Sequence, residues 1–161
     1  MAGVRLDLRN FSFGATSALV TSMGLIVGLN AATIAKPALI GTLLIIGLAD
    51  NLTDSLSVHI YQEAERLDQR RALRTTITNF FVRLLVAISF VALQLALPAG
   101  DATAASLAWG FVLLAALTYA LARTRQVNPV SEIAKHVGVG VVVIAISKLV
   151  GDAIPSIVAL F

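Results

Sequence analysis

Cysteine is absent from all 161 residues. Disulfide frameworks, thiolate metal sites and catalytic thiols are therefore excluded, and the redox compartment stays open. Charge is scarce as well: Asp, Glu, Lys and Arg together make up 13% of the chain, where a soluble domain carries about 25%. Only two histidines and one tryptophan occur. With no HExxH, no Ser-His-Asp set and no phosphate-cradling loop, the chain reads as a non-enzyme without a prosthetic group. What fills the sequence instead is hydrophobic side chains, 58% of all residues, giving a mean hydropathy of +0.89. An ordinary soluble globule is excluded. The net charge of +3 does not point to nucleic acid, because the basic residues are scattered between apolar runs and form no patch interleaved with aromatics.

Crossing about 30 Å of hydrocarbon takes about 20 apolar residues. Five windows qualify, near residues 13–35, 38–60, 77–98, 102–122 and 133–154. The expected fold is an all-α integral membrane protein, one domain over residues 1–161. Breaks fall at Lys36 and Pro37, at PAGD (98–101) and at QVNPVSE (126–132), where Ser131 is a candidate cap for the last helix. No Gly or Pro interrupts VHIYQEAERLDQRRALR, so the second helix is expected to continue through it as a polar extension.

Basic residues set the orientation. Arg5 and Arg9 precede the first span, Arg66, Arg70, Arg71 and Arg74 lie between the second and third, and Arg123, Arg125 and Lys135 lie around the fourth loop. The opposite side has Lys36 in one loop and no Lys or Arg in the loop carrying Asp101. The N-terminus is expected in the cytoplasm and the C-terminus outside or in a lumen, in a prokaryotic plasma membrane. A competing reading treats residues 1–35 as a secretory signal with TIA (33–35) before the cut, but its apolar region is long and four further spans follow.

Within the second span, GLADNLTDSLSVH places Asp50 and Asp54 four residues apart. Residues at i and i+4 share a helix face, and a charge at bilayer depth costs roughly 2.5–3.5 kcal/mol on insertion scales. A helix entering at Ala38 and rising about 1.5 Å per residue puts them roughly 18 and 24 Å in, within the cytoplasmic half. Asn51 and His59 add ligating groups, and Glu63 and Glu65 follow at the cytoplasmic mouth. Oxygen ligands of this kind suit hard or borderline divalent cations, and carboxylates also carry protons. The competing structural reading pairs Asp50 and Asp54 with a buried Lys or Arg, or leaves Asp54 solvated among headgroups. Arg83 is expected to snorkel to the cytoplasmic surface, and Lys148 with Asp152 to form a local i, i+4 pair.

The first span carries Gly24-x-x-x-Gly28, small-residue spacing that lets two helix backbones approach closely. Five short helices make a thin wall for a polar pathway, so a path between two copies is expected, with Gly24 and Gly28 at the dimer interface. Ser17, Thr21, Ser22 and Met23 would line or support it.

Taken in order, Gly14 to Gly28, Ser57 to Glu65, SFVALQLALP (89–98) and Gly138 to Gly151 resemble the vacuolar iron transporter family over nearly the whole chain. The resemblance implies a homodimer that exports Fe²⁺ and related divalent metals, such as Mn²⁺, from the cytoplasm against protons, along a path between subunits. Three departures stand out. Ser17 and Ala18 occupy the position of the family's Asp-Gly pair in the first helix. Ala49, Asp50, Thr53 and Asp54 replace its Ser-Met and Gly-Glu in the second. The glutamate-rich insert is reduced to Glu63, Glu65 and Asp68. On this reading a carboxylate has moved from the first helix to the second. Asp50 and Asp54 would bind the ion, Ser17, Met23, Asn51 and His59 would complete its surroundings, and Glu63 and Glu65 would attract cations at the mouth. The alternatives are a non-transporting membrane scaffold and a proton-coupled carrier of another small solute.

Overall fold

The computed structural model describes residues 8–65 and 69–160, with the side chains of 8–13, 69, 71 and 72 outside the description. The sequence features at Arg5, Arg66 and Asp68, and the side chains of Arg9 and Arg71, therefore lie outside the described residues. The chain folds into α1 (Leu8–Ala31), α2 (Lys36–Ala64), α3 (Gln69–Ala96), α4 (Ala99–Thr124) and α5 (Pro129–Val158). Each contains a stretch long and apolar enough to cross a membrane. An all-α integral membrane architecture follows, since a helix satisfies its own backbone polar groups where water is missing.

The helices are longer at most ends than hydropathy implied, because apolar windows stop at the first charges while backbone hydrogen bonding does not. One expectation is corrected: α2 does not run on through the polar segment. It ends at Ala64, with the Glu65 amide bonding back to the Tyr61 carbonyl, and α3 starts at Gln69. Ser131 is not the cap of α5 either. The Asn128 side chain accepts a hydrogen bond from the Val130 amide, with Pro129 opening the helix, as suits an Asn before a first-turn proline.

Two tight turns are closed without glycine. Thr33 and Gln126 take left-handed φ values of 58° and 56°, and the amides of Ile34 and Val127 return to the carbonyls of Leu29 and Ala122. These are Schellman closures that glycine usually makes.

The helices alternate in direction. Lys36 Nζ donates to the Leu97 carbonyl at 2.6 Å, joining the start of α2 to the end of α3. Asn51 Nδ2 donates to the Phe80 carbonyl midway along the same pair. Arg70, Arg74, Arg123 and Arg125 thus collect at one end of the bundle, and Lys36, Asp101 and Asp152 at the other. α1 is the most deeply buried helix and packs on α3, α4 and α5, while α2 leans on α3 and touches α1 lightly. Leu19, Met23, Ile26, Phe90 and Leu114 form the apolar centre. The outward face of α2 carries Ile45, Leu48, Leu52 and Leu56, all exposed, as a lipid-facing stripe requires.

Candidate functional site

Asp50 and Asp54 project from one face of α2 toward α3, where a single guanidinium meets both. Arg83 Nη2 donates to Asp50 Oδ2 at 2.6 Å, and Nη1 lies 2.5 Å from Asp54 Oδ2 as an ion pair. The Arg83 side chain is only 3% exposed, whereas those of Asp50 and Asp54 are 45% and 32% exposed. The expectation that Arg83 snorkels to the surface is corrected. Its register on α3 turns it inward, and the carboxylates supply the counter-charge that the headgroup layer would otherwise give. Two carboxylates thus share one permanently charged guanidinium.

Small residues make room for this cluster. Gly14 of α1 is buried, and a Cβ there would collide with the Asn79 amide and crowd the Arg83 stem. Where α1 and α2 part, a cavity of about 20 Å³ opens beside Ala18, Thr21, Ser22, Gly47, Asp50 and Arg83, large enough for about one water. On the arginine-rich side a cleft of about 420 Å³ reaches Asp54, bounded by Ser57, Tyr61, Gln62, Thr75 and Asn79.

The other candidate residues are placed as follows. Asn51 is buried behind the carboxylates and spends its amide nitrogen on the Phe80 carbonyl. Met23 does not face the carboxylates: it is fully buried, with its sulfur packed against Gly110 of α4 and Phe90 of α3 nearby, a gap-filling role that suits a flexible thioether. Ser17 does not line the cavity beside Asp50; Thr21 and Ser22 do. His59 lies two and a half turns beyond Asp50, its Nε2 3.4 Å from Glu63 Oε1. Glu65 is exposed at the end of α2.

Within the chain, Gly24 and Gly28 lie close against Ser147 of α5. A Cβ on Gly151 would collide with the Gly28 carbonyl. Lys148 Nζ donates to Asp152 at 2.6 Å, the pair expected from spacing. Among the described residues no three His, Cys, Asp or Glu side chains cluster as a ready metal cage.

Sequence reasoning missed Arg83 and Asn79 as members of the site. Their signal was present: Thr75, Asn79 and Arg83 recur every four residues on α3, a polar stripe inside an apolar span. Comparison with protein-family models, curated proteins and solved structures finds no match to this chain.

Proposed function

We propose that the chain carries a divalent cation of the Fe²⁺ or Mn²⁺ kind across the membrane, out of the cytoplasm and against protons, as a homodimer with its N-terminus cytoplasmic. The observation that supports this most is the sharing of one buried guanidinium by two partly exposed carboxylates. In the ion-free state Arg83 acts as a tethered substitute cation. An arriving divalent ion matches the two carboxylate charges and repels the guanidinium, so ion binding and Arg83 engagement exclude each other. Protonation of either carboxylate weakens the ion's hold and frees it on the far side. The family resemblance supports the same reading, and the lost first-helix carboxylate makes Asp50 and Asp54 the main acidic ligands.

Uptake of Fe²⁺ or Mn²⁺ into proteoliposomes under a pH gradient tests this. Asp50→Asn and Asp54→Asn are each expected to abolish flux, and flux equal to wild type in both overturns the proposal. Because Arg83 competes with the ion, Mn²⁺ is expected to raise the thermal midpoint of Arg83→Gln more than that of wild type, by mass action on the folded state. A smaller rise in the variant contradicts the competition.

A second reading is favoured by the same ion pairs. If Arg83 merely neutralises the carboxylates, the chain is a non-transporting membrane module. That reading expects no flux and no metal-dependent stabilisation.

A further inference from the structure

A column of buried polar groups runs between α2 and α3 from the carboxylates toward the arginine-rich end. Asn51, Ser55 and Gln62 line the α2 side, and Asn79 and Arg83 the α3 side, each no more than 8% exposed. Asn51 Oδ1, Ser55 Oγ, Gln62 Oε1, both amide atoms of Asn79 and Arg83 Nε have no hydrogen-bond partner in the chain. Leaving one such group unsatisfied costs about 1–3 kcal/mol. Six together are not sustained in a dry seam; water bridging two to four polar partners removes the penalty. Space for it adjoins the column. The cleft of about 420 Å³ touches Asn79, Gln62 and Asp54. Beyond Asp54 the Arg83 guanidinium spans to Asp50, and the cavity of about 20 Å³ lies on Asp50's side of it.

We propose that each subunit contains its own hydrated access path between α2 and α3, open toward the arginine-rich end and closed at its inner end by Arg83 bound to Asp50 and Asp54. That the path delivers a cation rests on the function proposed above; that it is wet does not. The path lies within one subunit, apart from any route between two copies. Its polar wall offers amide and hydroxyl groups of both senses, which suits a hydrated ion or a proton carried on water. Arg83 is the stopper, because its two ion pairs close the gap between the cleft and the inner cavity.

A chain without cysteine permits a direct test. Single cysteines at Ser55 and Val58 report the path, Leu52 and Leu56 report the lipid face at the same depth, and Ser106 reports a buried, hydrogen-bonded position in the α3–α4 seam. A charged, membrane-impermeant methanethiosulfonate is added to either side of sealed vesicles. Because the reacting species is the thiolate, which apolar surroundings suppress, Ser55→Cys and Val58→Cys are expected to react at least about tenfold faster than the three controls, and only from the arginine-rich side. Equal rates at Ser55 and Leu56, or reaction from the far side alone, overturn the path.

For the stopper, Thr21→Cys is expected to resist the reagent added from the arginine-rich side and to become reactive when combined with Arg83→Gln or Asp54→Asn. Unchanged reactivity in both double variants overturns the stopper. Labelling needs no flux, so a wet path in a chain that moves no metal refutes the transport reading and leaves this one standing.

Discussion

Helix α3 has polar groups on two sides, and the two sides are treated differently. Against α4, Gln94 Nε2 donates to Ser106 Oγ at 3.0 Å and to the Ala102 carbonyl at 3.3 Å, and Trp109 donates to Ser89. Both Gln94 and Ser106 are buried, and neither has an unsatisfied buried side-chain atom. Against α2, the buried Asn79, Arg83, Asn51, Ser55 and Gln62 all keep unpartnered atoms. The first arrangement is how polar side chains hold membrane helices together. The second makes the Asn51–Phe80 bond and the Arg83 ion pairs but leaves its other buried polar atoms unpartnered, and groups in that condition call for an explanation beyond packing. One seam is cement and the other is lining.

The largest effect is expected at the lining's charged end. Arg83→Leu leaves two carboxylates uncompensated; breaking a buried pair costs about 3–5 kcal/mol, and the partial exposure of Asp50 and Asp54 puts the loss near the lower figure. Thermal unfolding in detergent measures it, and a loss no larger than that of an ordinary surface substitution would remove the pair from the comparison.

Next comes a seam that is neither cement nor lining. Gly151→Val forces α1 and α5 apart where a Cβ already collides with the Gly28 carbonyl and lies 2.8 Å from Ala31 Cβ, for about 1–3 kcal/mol of overpacking, read by the same melt. It isolates pure steric closeness from hydrogen bonding.

The sharpest trial uses one substitution twice. Gln94→Met orphans the Ser106 hydroxyl and is expected to cost about 1–2 kcal/mol, whereas Gln62→Met removes an acceptor that already lacks a partner and is expected to cost under about 0.5 kcal/mol. Equal losses at the two glutamines in a denaturation series break the distinction between the seams.

The spans were legible because hydropathy is local, and three of the four joints because proline and polar loop residues mark them; the break after Ala64, with no Gly or Pro near it, was not. Asp50 and Asp54 were legible as neighbours because i and i+4 is a within-helix relation. Arg83 was not, since its partner lies on another helix and nothing in its own neighbourhood sets which way α3 rotates. Met23 looked like a ligand for the same reason: the glycine that receives its sulfur, Gly110, is on α4. Gly24 and Gly28 announce a close approach, but their sequence cannot name the helix that comes close. Tertiary rotation is thus the information missing at Arg83 and Met23.

Lys36 ties the α2–α3 pair at the end the chain itself leaves open. Its ammonium is clamped to the Leu97 carbonyl at the far end of the bundle, and the short turn after α1 keeps that end of α2 from drifting. Toward the arginine-rich end, α2 is held to α3 by the Arg83 ion pairs and by the chain itself, which passes from Ala64 to Gln69. The α2–α3 pair is thus fastened at both tips, by the chain at one and by a single hydrogen bond at the other, and Arg83 with its two carboxylates lies between these ties.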